Sequence, residues 1–299
     1  MCPGTFSGTI IRHGEVQEWL NWHAWNACIA AMLSRVRIPV SPPFFTAILN
    51  TMSKDELKIL LIQLRLDETM CAQERRAVCR SGNVKPEQVT IVNGLEETIS
   101  PADLEGHHML IVGGTGDFSI FDDIIVREHL EKVLRHAKET NFPVLGSCWG
   151  AQFLAHIFGG VVETIPEKEE LGSYLAWPTT YADDDPLFYD APQGFWAQIG
   201  HHQSITKLPE GAVNLVATER CEIQAFTWLG SRIYGLQLHS DLNKDELIER
   251  VDHYRANYAP DQAAYNAFMD SLKDSPYTDN LIEKFIDRIA LPSTISPVT

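Results

Sequence analysis

The stretch Val144-Leu145-Gly146-Ser147-Cys148-Trp149-Gly150-Ala151-Gln152 constrains the fold more tightly than any other part of the chain. It runs from apolar, strand-like residues through Gly-x-Cys-x-Gly into a helical pattern that ends near Phe158-Gly159-Gly160. A strand that turns this sharply into a helix forces the side chain at the turn outward, and the small neighbours Gly146 and Gly150 let the turn close without a Cβ clash. From Leu57 onward, short β-branched or leucine-rich runs alternate with amphipathic stretches, the pattern of an α/β domain. Residues 58–64, 88–92, 109–112 and 144–145 read as buried strands, and 122–140 as a helix. Later runs at 195–199, 214–217, 223–228 and 233–238 follow one another through turns such as Pro209-Glu210-Gly211 and Leu229-Gly230-Ser231. They predict adjacent or hairpin-linked strands. The expectation is an open, mainly parallel sheet flanked by helices, with a few antiparallel strands. A helical tail starts at about 244, with helices over 244–258 and 260–273 and a short last one around 280–290.

Residues 1–51 do not share this logic. They hold three of the seven tryptophans (Trp19, Trp22, Trp25), then Pro39, Pro42, Pro43, Phe44 and Phe45, with no recurring strand or helix period. The stretch 18–43 resembles a spurious translation of a bacterial transfer-RNA gene, because Val36-Arg37-Ile38 can be encoded by GTTCGAATC, the T-arm consensus. Met52-Ser53-Lys54 is then the expected start, with 1–51 a non-native extension from a mis-assigned start and 52–299 a single domain. The alternative is a genuine amphipathic helix, since Trp19, Trp22 and Ala30 can share a helical face.

Composition narrows the function classes. The chain has 24 Lys plus Arg against 40 Asp plus Glu, a formal charge of -16, so its average surface repels a phosphate backbone or an anionic bilayer. Neither a nucleic-acid nor a membrane partner is expected. No apolar run reaches the ~18 residues of a membrane helix, and the first residues lack a signal-peptide pattern. Six cysteines (Cys2, Cys28, Cys71, Cys79, Cys148, Cys221) include no CxxC pair, which argues against zinc knuckles and disulfide frameworks and fits a reducing cytoplasm. No metal-ligand constellation is apparent: His107, His108, His129, His136 and His156 read as satisfied surface or core residues. Asp183-Asp184-Asp185 reads as a solvated acidic turn, with a cation site as the minor alternative.

Three segments carry chemistry. A cysteine on the elbow meets the positive end of a helix, which lowers a thiol pKa and offers free amides to an oxyanion. The competing explanation is a buried cysteine in a packing turn, which has no need of flanking glycines. The second segment is Ile233-Tyr234-Gly235-Leu236-Gln237-Leu238-His239-Ser240-Asp241, an apolar strand ending in His-x-Asp. There His239 can reach a thiol on another strand's loop while Asp241 holds its ring. The third is Met109-Leu110-Ile111-Val112-Gly113-Gly114-Thr115-Gly116-Asp117, a strand followed by a glycine turn, where Gly114 is a candidate oxyanion donor beside the amide of Trp149. Its spacing fits neither a Walker loop nor GxGxxG, and no lysine follows.

These residues together resemble class I glutamine amidotransferases, most closely the stand-alone relatives of the GMP synthase glutaminase domain, over nearly all of 57–241. The resemblance implies a flavodoxin-like fold with Cys148 as nucleophile, His239 as general base and Asp241 as third member, and Gly114 and Trp149 as oxyanion amides. It also implies Gln152 at the amino-acid end of the substrate. Gly200-His201-His202-Gln203-Ser204-Ile205, leading into Leu208-Pro209-Glu210-Gly211-Ala212, resembles the family's substrate-side loop, making His202 and Ser204 candidate glutamine contacts. Two departures stand out: the usual His-Pro-Glu is His239-Ser240-Asp241, one methylene shorter at the acid, and Thr115 follows the glycines where proline is common.

The implied reaction is attack of the Cys148 thiolate on the γ-carboxamide of glutamine, loss of ammonia, and hydrolysis of a γ-glutamyl thioester, with no metal or organic cofactor. The remainder after Asp241 is too short for a synthase domain, so the expected ammonia acceptor is a separate synthase chain. Two other classes stay open: a stand-alone hydrolase of γ-glutamyl amides or peptides, and a non-catalytic binding or regulatory protein of the same fold.

Overall fold

In strand β1 (Ile59–Gln63) every residue is buried, and its side chains divide between two cores. Ile59 and Leu61 join one apolar cluster, Leu60 and Ile62 the other. Strand β2 (Val89–Asn93) follows, then β3 (Met109–Val112), which repeats the division: Met109 and Ile111 on one side, Leu110 and Val112 on the other. That is the period-two signature of a sheet covered on both faces, which parallel strands require because their crossovers are helices. The computed structural model describes residues 52–291, so the expected extension 1–51 lies outside the described residues.

The crossover from β1 to β2 is helix α1 (Glu68–Gly82). Asp67 Oδ1 caps its start by accepting from the amides of Thr69 and Met70, at 2.9 and 3.1 Å. Asn83 ends it in the left-handed conformation at φ 49°. Helix α2 (Val126–Glu139) connects β3 to β4 (Val144–Ser147), and α3 (Trp149–Ile157) leaves β4 directly. The second core holds Leu130, Val133 and Leu134 of α2 with Phe153 and Leu154 of α3.

The remaining strands are β5 (Val161–Thr164), β6 (Glu170–Pro178), β7 (Phe195–His201), β8 (Gln203–Lys207), β9 (Ala212–Thr218), β10 (Ala225–Trp228) and β11 (Ile233–Leu236). The main sheet has nine strands in the order β2-β1-β3-β4-β11-β10-β9-β6-β7, and β5 pairs with β8 apart from it. The pairings from β2 to β11 are parallel, and those from β11 out to β7 antiparallel. The expected open α/β sheet is therefore present, with its antiparallel strands gathered into one continuous extension.

Several details depart from the sequence reading. The strand at 195–199 does not neighbour that at 214–217, because β6 lies between β7 and β9. Polar residues and Gly172 at φ 122° break the apolar run that would have marked β6. The helix expected over 244–258 breaks at Tyr254 into α4 (Lys244–His253) and α5 (Arg255–Tyr258), with α6 (Gln262–Ser271) next. The last helix, α7 (Leu281–Phe285), widens into a π-type turn at Ile286–Ala290 and packs Phe285 and Ile286 into the first core. Asp185 is buried rather than solvated: it accepts from the amides of Leu187 and Phe188 and from the Tyr234 hydroxyl, at 2.9, 3.1 and 2.8 Å. His108 and His107 are satisfied locally, with Nδ1 of His108 accepting from the amide of Lys58.

Candidate active site

Strands β3, β4 and β11 are consecutive and parallel, so the glycine turn, the cysteine elbow and the His-x-Asp segment emerge side by side at one carboxyl edge. This is where open α/β sheets bind ligands. At the elbow, Cys148 adopts φ 48° and ψ −101°, a conformation costly for any residue with a Cβ, and its amide donates to Leu236 O at 2.8 Å. Both flanking glycines are sterically required. A Cβ on Gly150 would collide with the Val112 carbonyl, and one on Gly146 would stand 2.7 Å from Leu154 Cδ1. Trp149 begins α3, so its amide is one of the helix's unpaired donors.

The side chains converge. A Cβ on Gly114 would lie 3.4 Å from Cys148 Cβ and 3.9 Å from His239 Cε1; one on Gly200 would lie 3.9 Å from His239 Nε2. The Cys148 thiol donates to Gly200 O at 3.5 Å, and Gln237 Nε2 lies 3.8 Å from its sulfur. On the far side of the ring, Nδ1 of His239 is 3.1 Å from Asp241 Oδ1. All three residues are buried. Burial opposes ionisation of Asp241, but the guanidinium of Arg250 and the ring of His239 outweigh it and hold the carboxyl well below its usual range. An ionised carboxylate only accepts, so Nδ1 carries the proton and Nε2 is directed toward the thiol. Burial likewise disfavours a charged His239, yet the Asp241 carboxylate, with the Cys148 sulfur helping, raises it to about 9.

Arg250 is the member that the sequence reading missed. Its Nη1 lies 3.1 Å from Asp241 Oδ2, while Nε and Nη2 donate to Gln73 Oε1 at 3.1 and 2.6 Å. The guanidinium thus fixes the oxygen of Asp241 that does not face the histidine. The available signal was an arginine on the apolar stripe Leu247, Val251 and Tyr254 of a helical pattern, where a charge needs a buried partner.

A cavity of about 320 Å³ opens over Cys148, lined by the glycine turn and by Ser119, Trp149, Gln152, His202 and Tyr258. Its volume falls at the small end of ligand pockets. Cavities of about 510 and 730 Å³ elsewhere have no cysteine–histidine pair in their walls.

The family model for Glutamine amidotransferase class-I matches residues 72–246, which spans the elbow, His239 and Asp241. The chain belongs to that family. A GMP synthase (glutamine-hydrolyzing) from Thermosipho africanus is 34% identical over 113 residues, covering 38% of this chain and 21% of that protein. A GMP synthase (glutamine-hydrolyzing) subunit from Archaeoglobus fulgidus is 32% identical over 107 residues, 36% of this chain and 56% of that one. The chain thus matches about a fifth of the first relative's length and little more than half of the second's. In fold it is similar to a glutamine amidotransferase from Thermotoga maritima, with TM-score 0.62, 17% identity, and coverage of 79% of this chain and 98% of that one. It is also similar to one from Methylobacillus flagellatus, with TM-score 0.61, 18% identity, and coverage of 83% and 100%.

The other expected site residues fall into two groups. Gln152 and His202 line the cavity. Gln152 Nε2 is committed to Gln203 O at 2.7 Å and Gln237 Oε1 at 3.2 Å, and the His202 ring stacks on Tyr258 with centroids 5.2 Å apart. Ser204 is fully buried behind that wall, its hydroxyl donating to Lys168 O at 3.2 Å, and it is not among the lining residues. The glycine turn is packed as well as open: a Cβ on Gly113 would meet Glu74 Oε1 at 2.6 Å, and one on Gly116 the Tyr254 ring at 2.6 Å. Gly114, between them, is the glycine that faces Cys148.

Proposed function

We propose that the chain hydrolyses the γ-carboxamide of glutamine at Cys148 and passes the ammonia to a separate synthase partner. The observation that carries this reading is a strained cysteine at the start of a helix, facing a histidine that an ion-paired carboxylate holds in one tautomer. His239 takes the thiol proton and keeps it, leaving a thiolate to attack the amide carbon. The oxyanion that forms sits between the amides of Gly114 and Trp149, and the His239 imidazolium gives its proton to the departing ammonia. Water activated by the now neutral ring then cleaves the γ-glutamyl thioester, regenerating the thiol and releasing glutamate. Gln152 and His202 bound the end of the cavity where the amino-acid part of the substrate fits. The separate partner is supported by the Archaeoglobus relative, which is itself named as one subunit of its enzyme. Among the described residues, no helix is long and apolar enough to cross a membrane, and the four cysteines are free, as a reducing compartment allows.

The test is ammonia release from glutamine, asparagine, γ-glutamyl-anilide and γ-glutamyl dipeptides by the purified protein. Turnover of glutamine far above the other compounds supports the proposal. Preference for γ-glutamyl peptides points to a stand-alone hydrolase, and no turnover of any of them overturns an enzymatic role for the site.

A further inference from the structure

Apart from the Cys148 cluster, the fold brings together a second set of buried donors. Glu170 on β6 and His201 on β7 are paired across the strands, and Cys221 comes from the turn between β9 and β10. One ligand atom from each lies within 4.8 Å of the other two, and all three residues are buried. The Thr218–Cys221 turn is fixed by the Thr218 amide donating to Cys221 O at 2.9 Å and the Cys221 amide donating to Thr218 Oγ1 at 3.1 Å.

The hydrogen bonds around His201 favour one tautomer. With the Ser204 hydroxyl proton directed to Lys168 O at 3.2 Å, the ring nitrogen is the donor where His201 Nδ1 meets Ser204 Oγ at 3.5 Å. A neutral ring then leaves a lone pair at Nε2. That nitrogen is buried, has no hydrogen-bond partner, and stands 3.3 Å from Glu170 Oε2. A lone pair and a carboxylate oxygen repel at this separation unless positive charge lies between them. A proton on Nε2 would provide it, but the contact lacks hydrogen-bond alignment. A metal ion needs no such line: nitrogen and oxygen each ~2.0–2.2 Å from a tetrahedral zinc are about 3.3–3.5 Å apart. The outer hydrogen bonds also suit a metal ligand, with Ser204 orienting the imidazole and Thr218 Oγ1 and Gln224 Nε2 donating to the Glu170 carboxylate.

We propose that Glu170, His201 and Cys221 bind a zinc-type divalent transition-metal ion, which ties together β6, β7 and the β9–β10 turn behind the substrate wall. Sulfur, imidazole and carboxylate are the donor set that zinc takes, and one glutamate and one thiolate balance its charge. A cavity of about 450 Å³ lies beside Glu170 and His201, but Cys221 is not in its wall and His201 Nε2 is closed off from it, so a fourth, water ligand enters only if that wall shifts. A cysteine ligates as the thiolate, so metal uptake releases its proton to solvent. The site is one residue from Gly200, whose carbonyl accepts from Cys148, and so braces the wall without taking part in the chemistry. The site was not legible in the sequence, because its three donors are far apart along the chain.

The experiment uses the full chain carrying Cys148→Ala, so that the thiol and imidazole of the catalytic cluster cannot act together as ligands. After chelation and dialysis, Co²⁺ and Zn²⁺ are titrated in. The proposal expects one equivalent of Co²⁺ with a thiolate-to-cobalt charge-transfer band, displaced by Zn²⁺, and a higher Tm in the loaded protein. Cys221→Ser should remove the band, His201→Gln should weaken binding at least a hundredfold, and Ser204→Ala should weaken it roughly 10–100-fold. Absence of stoichiometric uptake by the Cys148→Ala protein overturns the proposal, as does a thiolate band that survives Cys221→Ser.

Discussion

At the scale of the residue, the chemistry turns on how charge is held around His239. Its raised pKa means that folding favours the charged ring. This contributes stability in full below the ordinary value of 6.5 and loses it as the pH rises through about 9. The same proton is the one given to ammonia. The expected kcat/KM profile for glutamine therefore falls on the alkaline side near pH 9. Asp241→Asn should move that limb to lower pH and cut kcat by about 10³–10⁴-fold with little change in KM, since it alters the partner and tautomer of a group that acts only in the reaction. Arg250→Gln should cut kcat more weakly and without that downward shift of the limb, because the carboxylate stays beside the ring and loses only its second anchor and the charge of the guanidinium. Steady-state kinetics across pH on the three proteins reads all of this. An unshifted limb in Asp241→Asn would remove that carboxylate from the account.

At the scale of the element, the elbow depends on backbone proximity. Gly150→Ala would push a methyl into the Val112 carbonyl at the end of β3, with no flexible side chain to give way. The expected loss is about 3 kcal/mol, or roughly 10 °C in Tm. Gly106→Ala, at φ 77° with open space around it, should cost only about 1 kcal/mol. Thermal melts compare the two, and equal losses would mean that the elbow is not sterically closed. This proximity also explains what the sequence disclosed. Gly146, Cys148 and Gly150 lie within one turn, and His239 and Asp241 within one strand end, so their meaning is local. Arg250, Gln73 and the position of β6 depend on contacts between elements distant along the chain. Only a charge on an apolar stripe hinted at Arg250, and nothing in the polar start of β6 marked it as an interior strand. Ser204 was placed in the substrate loop by its neighbours in sequence, whereas strand alternation turns it inward.

At the scale of the whole molecule, the residues proposed for the site all come from between Gly114 and Arg250. A chain beginning at Met52 is therefore expected to melt at the same temperature as the full chain and to hydrolyse glutamine at the same rate; loss of cooperative unfolding would make 1–51 part of the domain. The central claim, that Cys148 is the nucleophile of a glutamine-hydrolysing site, is tested most directly by mass-spectrometric mapping after reaction with a diazo-ketone analogue of glutamine. The account predicts label on Cys148 alone, blocked by excess glutamine, and loss of both label and ammonia release in Cys148→Ala. Label spread evenly over Cys71, Cys79 and Cys221, with ammonia release intact in Cys148→Ala, would contradict it.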